Sequence, residues 1–165
     1  MKKALSQLSE KASLLVKWFA GVGLILMTAI IAWQVFARYV LNDSPAWGEQ
    51  AALLLMIWYV MLAAAAGVRE GFHIRITVLA DNLPGRSKRV INLVSHAVVG
   101  LFGLAMVWWG VELAHETWEH VIPTLGLSRG YAYVPIPISG LLIFGFALEH
   151  VIADIRGKEV SQLWN

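Results

Sequence analysis

The chain has 165 residues, of which 58% are hydrophobic and only 15% charged, with a formal net charge of +2. Soluble domains carry about 25% charge and about 45–50% apolar residues, so too little polar surface is present here to coat a water-soluble globule. Cysteine is absent, which excludes disulfides and thiolate metal centres.

Four apolar stretches, residues 18–40, 49–68, 90–114 and 131–153, each supply the roughly 20 residues that carry a helix across about 30 Å of hydrocarbon. They lack the alternation of a barrel strand, and in lipid only helices and closed barrels satisfy every backbone group. The expected fold is an all-α integral membrane protein: one membrane domain over residues 1–165, with four spans and short interfacial helices. The first span is expected to be retained rather than cleaved as a secretory signal, because it exceeds a signal's apolar length and runs into Arg38-Tyr39. Ahead of it, Leu5, Leu8, Ala12 and Leu15 recur at helical spacing and predict a short surface helix.

Between spans one and two, Arg38 and Glu49 sit at matched depth in a tight antiparallel hairpin, so the two opposite charges either meet or snorkel independently to water. Trp47 lies at the membrane interface that indole rings favour, as do Trp18, Trp118 and Trp164. Trp58 and Tyr59 lie mid-span, where a phenol hydroxyl needs a partner and so argues for a protein-packed face. Ala63 and Gly67 form a small-xxx-small step that permits close helix approach, either within this chain or to another membrane subunit.

The link after span two, VREGFHIRITVLADNLPGRSKR, concentrates positive charge. As a helix it places Phe72, Ile76, Leu79 and Leu83 on one face and His73, Thr77 and Asp81 on the other. The alternation Phe72-Ile74-Ile76-Val78 also fits a strand. Arg69, His73, Arg75, Arg86, Lys88 and Arg89 are expected to contact lipid headgroups. Lys2, Lys3, Lys11 and Lys17 precede span one, and Arg156 and Lys158 follow span four. Only Arg38 and Arg129 fall in the other two connections, so eleven of the thirteen basic residues share one side. The positive-inside rule assigns that side, and with it both termini, to the cytoplasm.

Clusters suited to chemistry are sparse. In VELAHETWEHVIP, Glu112-x-x-His115 matches half of a di-iron carboxylate pattern, but the second Glu-x-x-His is missing. His115 and His120 are five apart, whereas a zincin places its pair at i and i+4. His96 and His150 occur at similar depth in spans three and four, where they either ligate a haem or bond to neighbouring helices. The span interiors hold no acidic residue of the kind that small self-contained pumps use, nor paired broken helices of the transporter type. No cofactor and no catalytic residue is expected.

Three segments together resemble the small membrane subunit of tripartite ATP-independent periplasmic (TRAP) transporters, the DctQ-like family. RYVLNDSPAWGEQ (38–50) is similar to the family's Arg-Tyr, Asn, Trp-x-Glu-Glu pattern, with Gln50 where a second Glu is frequent. REGFHIRITVLADNLP (69–84) is similar to its Arg-Glu-x-x-His-Ile-Arg run, with Thr77 where Asp is common. TLGLSRGYAYVPIPISG (124–140) resembles the lead into its fourth span. The resemblance covers roughly residues 18–153. It implies a non-catalytic inner-membrane partner of a large subunit that carries the substrate and Na⁺ sites and moves like an elevator. It also implies a separate periplasmic protein that delivers an organic acid. Other classes remain open on the residues alone: a haem-bearing anchor of a respiratory complex, or an autonomous small transporter.

Overall fold

A computed structural model describes residues 2–43, 45–71 and 85–156. The first helix, α1 (Lys2–Phe36), runs 35 residues without interruption, a length of about 52 Å at 1.5 Å per residue. The separate amino-terminal surface helix expected from Leu5, Leu8, Ala12 and Leu15 is therefore corrected: those residues continue directly into span one. Nothing between Ser9 and Trp18 breaks a helix, and Glu10, Lys11, Ala12, Leu14 and Leu15 are all good helix formers. The last turn widens into a π-helical segment, Ala37–Leu41, which Asn42 stops in the left-handed conformation (φ 54°) with its N–H on the Ala37 carbonyl. Asparagine tolerates that region better than other non-glycine residues.

Helix α2 (Gly48–Arg69) follows after a short turn and ends where Gly71 takes φ 74°. The interfacial segment expected at residues 72–84, with His73 and Arg75, lies outside the described residues. Helix α3 (Gly85–Glu116) leads into a small antiparallel hairpin, β1 (Val121–Ile122) with β2 (Leu127–Ser128), in which Val121 pairs Ser128 and Ile122 pairs Leu127. Gly126 closes it at φ 65°. A one-turn helix α4 (Gly130–Tyr133) precedes α5 (Pro135–Arg156). Pro135 opens α5 at the position where a missing N–H does no harm, and the buried Ser139 hydroxyl returns 2.7 Å to its carbonyl.

Four of these helices are long and apolar enough to cross a membrane: Ser9–Leu41, Gly48–Arg69, Arg89–Glu116 and Gly130–Ile155. Their extensive contacts run from α1 to α2, from α2 to α5 and from α5 to α3, so the spans stand in a row with α1 and α3 on the flanks. Burial follows that order: 11% of the apolar window of each flanking helix is enclosed, against 28% for α2 and α5. One end of the row carries both chain termini (the terminal end); the other carries the hairpin (the hairpin end).

The core sits between α2 and α5, where Ala65, Val68, Ile143 and Phe146 pack together with Ala12, Val99, Met106 and Leu142 around them. The α3–α5 seam is built on glycine. A Cβ on Gly140 would lie 2.7 Å from the Gly103 carbonyl oxygen, and one on Gly103 would lie 2.8 Å from that of Gly140. Backbones this close gain dispersion contacts along the whole crossing, which is the main attraction available to helices in lipid.

Candidate partner interface and buried polar cluster

At the hairpin end, α1 and α2 diverge around a groove of about 450 Å³. Met27, Ile31, Val35, Leu53 and Met56 supply its apolar wall, while Gln34, Arg38, Tyr39 and Glu49 line the rest. The π-helical turn carries Arg38 and Tyr39, and the first turn of α2 carries Glu49. Arg38 and Glu49 thus line one groove. A close approach of Gln34 to Gly48, where an added Cβ would sit 3.0 Å from Gln34 Oε1, fixes how α1 and α2 meet there. Trp47, next to it, is exposed.

The other residues expected at a partner surface divide. The Trp58 indole is satisfied within the chain, its Nε1 donating to the Tyr131 carbonyl at 2.9 Å, and its ring lies 6.3 Å from that of Phe19. Tyr59 lies over Gly23, where a Cβ would come within 2.9 Å of its own. Ala63 is exposed and Gly67 half-buried, whereas Ala65 and Ala66 face the core. The close internal crossing therefore uses Gly103 and Gly140 on other helices, and the exposed Ala63 points away from it.

At the terminal end, polar groups from all four spans converge. Arg69 is 1% exposed and Glu70 5%, although Arg69 was expected among the headgroup contacts. That expectation is corrected: Arg69, the last residue of α2, directly follows the apolar run and carries its guanidinium inside. Arg69 Nε donates to Ser9 Oγ at 3.0 Å, and the Ser9 hydroxyl in turn donates to Glu149. Glu70 receives Lys17 Nζ at 2.6 Å and lies 3.6 Å from Arg69 Nη1. Arg69 Nη1 and Nη2 find no hydrogen-bond acceptor among the described residues. Arg89, also expected at the headgroups, is exposed and donates to the carbonyls of Asp154 and Ile155 at 2.8 and 3.2 Å. It thereby fills acceptors that a helix end leaves open. Arg86 and Lys88 lie on the first turns of α3.

The two intramembrane histidines meet, but not as haem ligands. Their rings stack with centroids 4.8 Å apart and planes 16° from parallel. His96 Nδ1 lies 2.7 Å from Asp154 Oδ2, and His150 Nε2 lies 2.9 Å from the Arg69 carbonyl. Axial ligation needs two ring nitrogens aimed at one iron, whereas here the faces oppose each other and one nitrogen of each ring is already taken. Among the described residues no group of three His, Cys, Asp or Glu side chains is arranged to hold a metal ion.

The sequence reading missed the inward turn of Arg69 and Glu70. A signal was present: an Arg-Glu pair at the end of an apolar run, with Lys17, Glu149 and His150 at matching depth on two other spans.

These features define a class, a multi-pass helical protein of the inner membrane whose charge is gathered at its two ends. The family described as "Tripartite ATP-independent periplasmic transporters, DctQ component" matches residues 27–157, and this chain belongs to that family. It is 26% identical over 125 residues to the sialic acid TRAP transporter small permease protein SiaQ of Vibrio cholerae, covering 76% of this chain and 72% of that one. It is 27% identical over 130 residues to the C4-dicarboxylate TRAP transporter small permease protein DctQ of the same organism, covering 79% of this chain but 51% of that protein's length. With the ectoine TRAP transporter small permease protein TeaB of Halomonas elongata the identity is 25% over 143 residues, covering 85% and 74%.

Proposed function

We propose that this chain is the non-catalytic small permease subunit of a TRAP transporter, a single membrane domain that scaffolds a large elevator-type subunit. That complex takes up an organic acid in a Na⁺-coupled manner after a periplasmic binding protein delivers it. The observation that carries the proposal is the family match across all four spans in a chain with no Asp, Glu, Lys or Arg at residues 18–37, 50–68, 90–111 or 131–148. An ion-coupled carrier needs ionisable or broken-helix groups near the midplane, so the coupling site belongs to a partner. The relatives are named for substrates as different as sialic acid, C4-dicarboxylates and ectoine, which fits substrate choice residing outside this subunit. The Lys/Arg asymmetry puts the terminal end in the cytoplasm, with His73, Arg75, Arg86 and Lys88 at the headgroups.

Proteoliposomes holding this chain alone are expected to show no Na⁺-driven accumulation of organic acids, and adding the large subunit with loaded binding protein is expected to restore it. Robust uptake by the single chain would reject the scaffold reading. In the same vesicles, a Ser87→Cys variant should react with an impermeant maleimide only from the cytoplasmic face.

The groove formed by α1 and α2 is the proposed docking surface, lined by Arg38 and Glu49 with the exposed Trp47 beside it; Tyr59, Ala63 and Gly67 extend the proposed partner face farther along α2, outside the groove itself. A groove lined by Gln34, Arg38 and Glu49 is ill suited to face acyl chains and suits a partner helix that offers polar groups. Arg38→Glu and Glu49→Arg are each expected to weaken co-purification with the large subunit several-fold, and the double reversal to recover part of the loss. An exposed pair is worth only about 0–1 kcal/mol, so the effect depends on burial by the partner, where an orphaned charge becomes costly. Normal assembly of both single variants would remove the pair from the interface. A double variant no better than the singles would give each residue a separate partner.

A further inference from the structure

We propose that His96, His150 and Asp154 form a half-buried site that binds one proton, and that its occupancy sets how firmly α2, α3 and α5 are held together at the terminal end. Each imidazole already commits one nitrogen. The Arg69 carbonyl can only accept, so His150 Nε2, 2.9 Å away, carries a hydrogen. His96 Nδ1, 2.7 Å from Asp154 Oδ2, donates to a carboxylate. One nitrogen per ring is then left to be protonated.

The two remaining nitrogens are not equivalent. A proton on His96 makes an imidazolium–carboxylate pair, a charge-assisted bond stronger than the neutral one it replaces. A proton on His150 has a backbone carbonyl, not a carboxylate, as its hydrogen-bond partner. Once His96 is charged, a second proton would set two like charges in stacked rings 4.8 Å apart, partly shielded from water.

The surrounding charges leave this asymmetry intact. From α1, Lys17 is directed to Glu70; from α2, Arg69 lies between Glu70 and Glu149 of α5, at 3.6 and 3.9 Å. From α3, Arg89 is spent on the carbonyls of Asp154 and Ile155. Among the described residues, Asp154 is thus the carboxylate available to His96.

The ties define the consequence. His150 joins α5 to the last residue of α2, and His96 joins α3 to α5 through Asp154. One proton tightens the second tie. A second proton drives the rings apart and releases the first tie, loosening the point where α2 leaves the bundle. This reading concerns the chain's own packing and stands whether or not the partner assignment above holds.

The test is an NMR titration of the full chain in nanodiscs with ¹⁵N-labelled imidazoles, from about pH 8 to about pH 5, the range in which histidine ordinarily changes charge. The five histidines would be assigned through His96→Gln and His150→Gln. His96 is expected to protonate within the range while His150 stays neutral, and His150 is expected to begin titrating in His96→Gln. In Asp154→Asn, which leaves His96 without a carboxylate to donate to, the difference between the two rings is expected to be lost. Independent protonation of both rings in the unmodified chain, or a His150 signal indifferent to His96→Gln, overturns the proposal. So does a His96 that remains neutral throughout. If Asp154→Asn does not fold, the His96→Gln comparison alone decides.

Discussion

Glu70→Gln is expected to cost the folded chain on the order of 3–5 kcal/mol, the range for removing one partner of a buried ion pair. Glu70 is the nearest carboxylate to Arg69, a guanidinium with none of its side chain exposed; the next, Glu149, is 3.9 Å away. With Arg69 Nη1 and Nη2 already short of acceptors, loss of that counter-charge leaves a cation enclosed by α1, α2 and α5. Lys17, 22% exposed, can turn outward when its partner is lost; Arg69 cannot. The double variant Arg69→Met, Glu70→Met should therefore be much less destabilised than the sum of its single changes, because two apolar side chains of similar volume replace two charges together. Unfolding midpoints in mixed detergent micelles would measure this. Strict additivity of the two single changes would mean that the residues do not act as a pair.

Gly140→Leu is the second large effect expected. Its first side-chain carbon would meet the Gly103 carbonyl at 2.7 Å and the Val107 amide nitrogen at 3.1 Å. Both are backbone atoms that no rotamer change can move aside. Overpacking of this kind costs about 1–3 kcal/mol or more, and here it should separate α3 from α5 and disturb the His96–Asp154 contact two turns and more away. Gly145→Leu, five residues along the same helix, is the control: nothing lies within 4 Å of its added carbon, so its midpoint should move by no more than about 0.5 kcal/mol equivalent. Equal losses for the two variants would show that the Gly103–Gly140 crossing is not what makes position 140 sensitive, since helix propensity favours leucine over glycine at both sites.

The four spans were legible because length and apolarity are local properties, and each predicted stretch falls inside an observed helix. The family resemblance rested on Arg38–Gln50, Arg69–Pro84 and Thr124–Gly140, and the family match encloses all three. What failed to show was set by neighbours distant in the chain. Whether Arg69 snorkels to headgroups or turns inward depends on Ser9 and Glu149, which lie 60 residues earlier and 80 residues later. The glycine crossing of α3 and α5 was equally hidden, since Gly103 and Gly140 are unremarkable until the helices are laid side by side. The amino-terminal helix was misjudged for another reason: its apolar spacing is the same whether it lies flat or continues upward, and only the contacts of Ser9 and Lys17 decide. The hairpin at Val121–Ser128 escaped notice because two-residue strands carry almost no periodic signal; the Pro123–Gly126 turn was its one visible mark.

The length of α1 has a mechanical corollary. Lys17 and Arg38 are the charged collars of this shaft, twenty-one residues or about 31 Å apart along its axis, which matches the roughly 30 Å of hydrocarbon in a typical bilayer. Collars at that spacing let the shaft cross the bilayer with little mismatch, while its tilt is set by the helices packed beside it. A thinner or thicker membrane would pull one collar toward oil, at a fraction of a kcal/mol per Å. The fifteen helical residues ahead of Lys17, about 22 Å of α1, lie beyond the lower collar with Ser9, Ala12 and Ser13 packed on the bundle, so the floating depth of the whole row is gauged by its flanking helix.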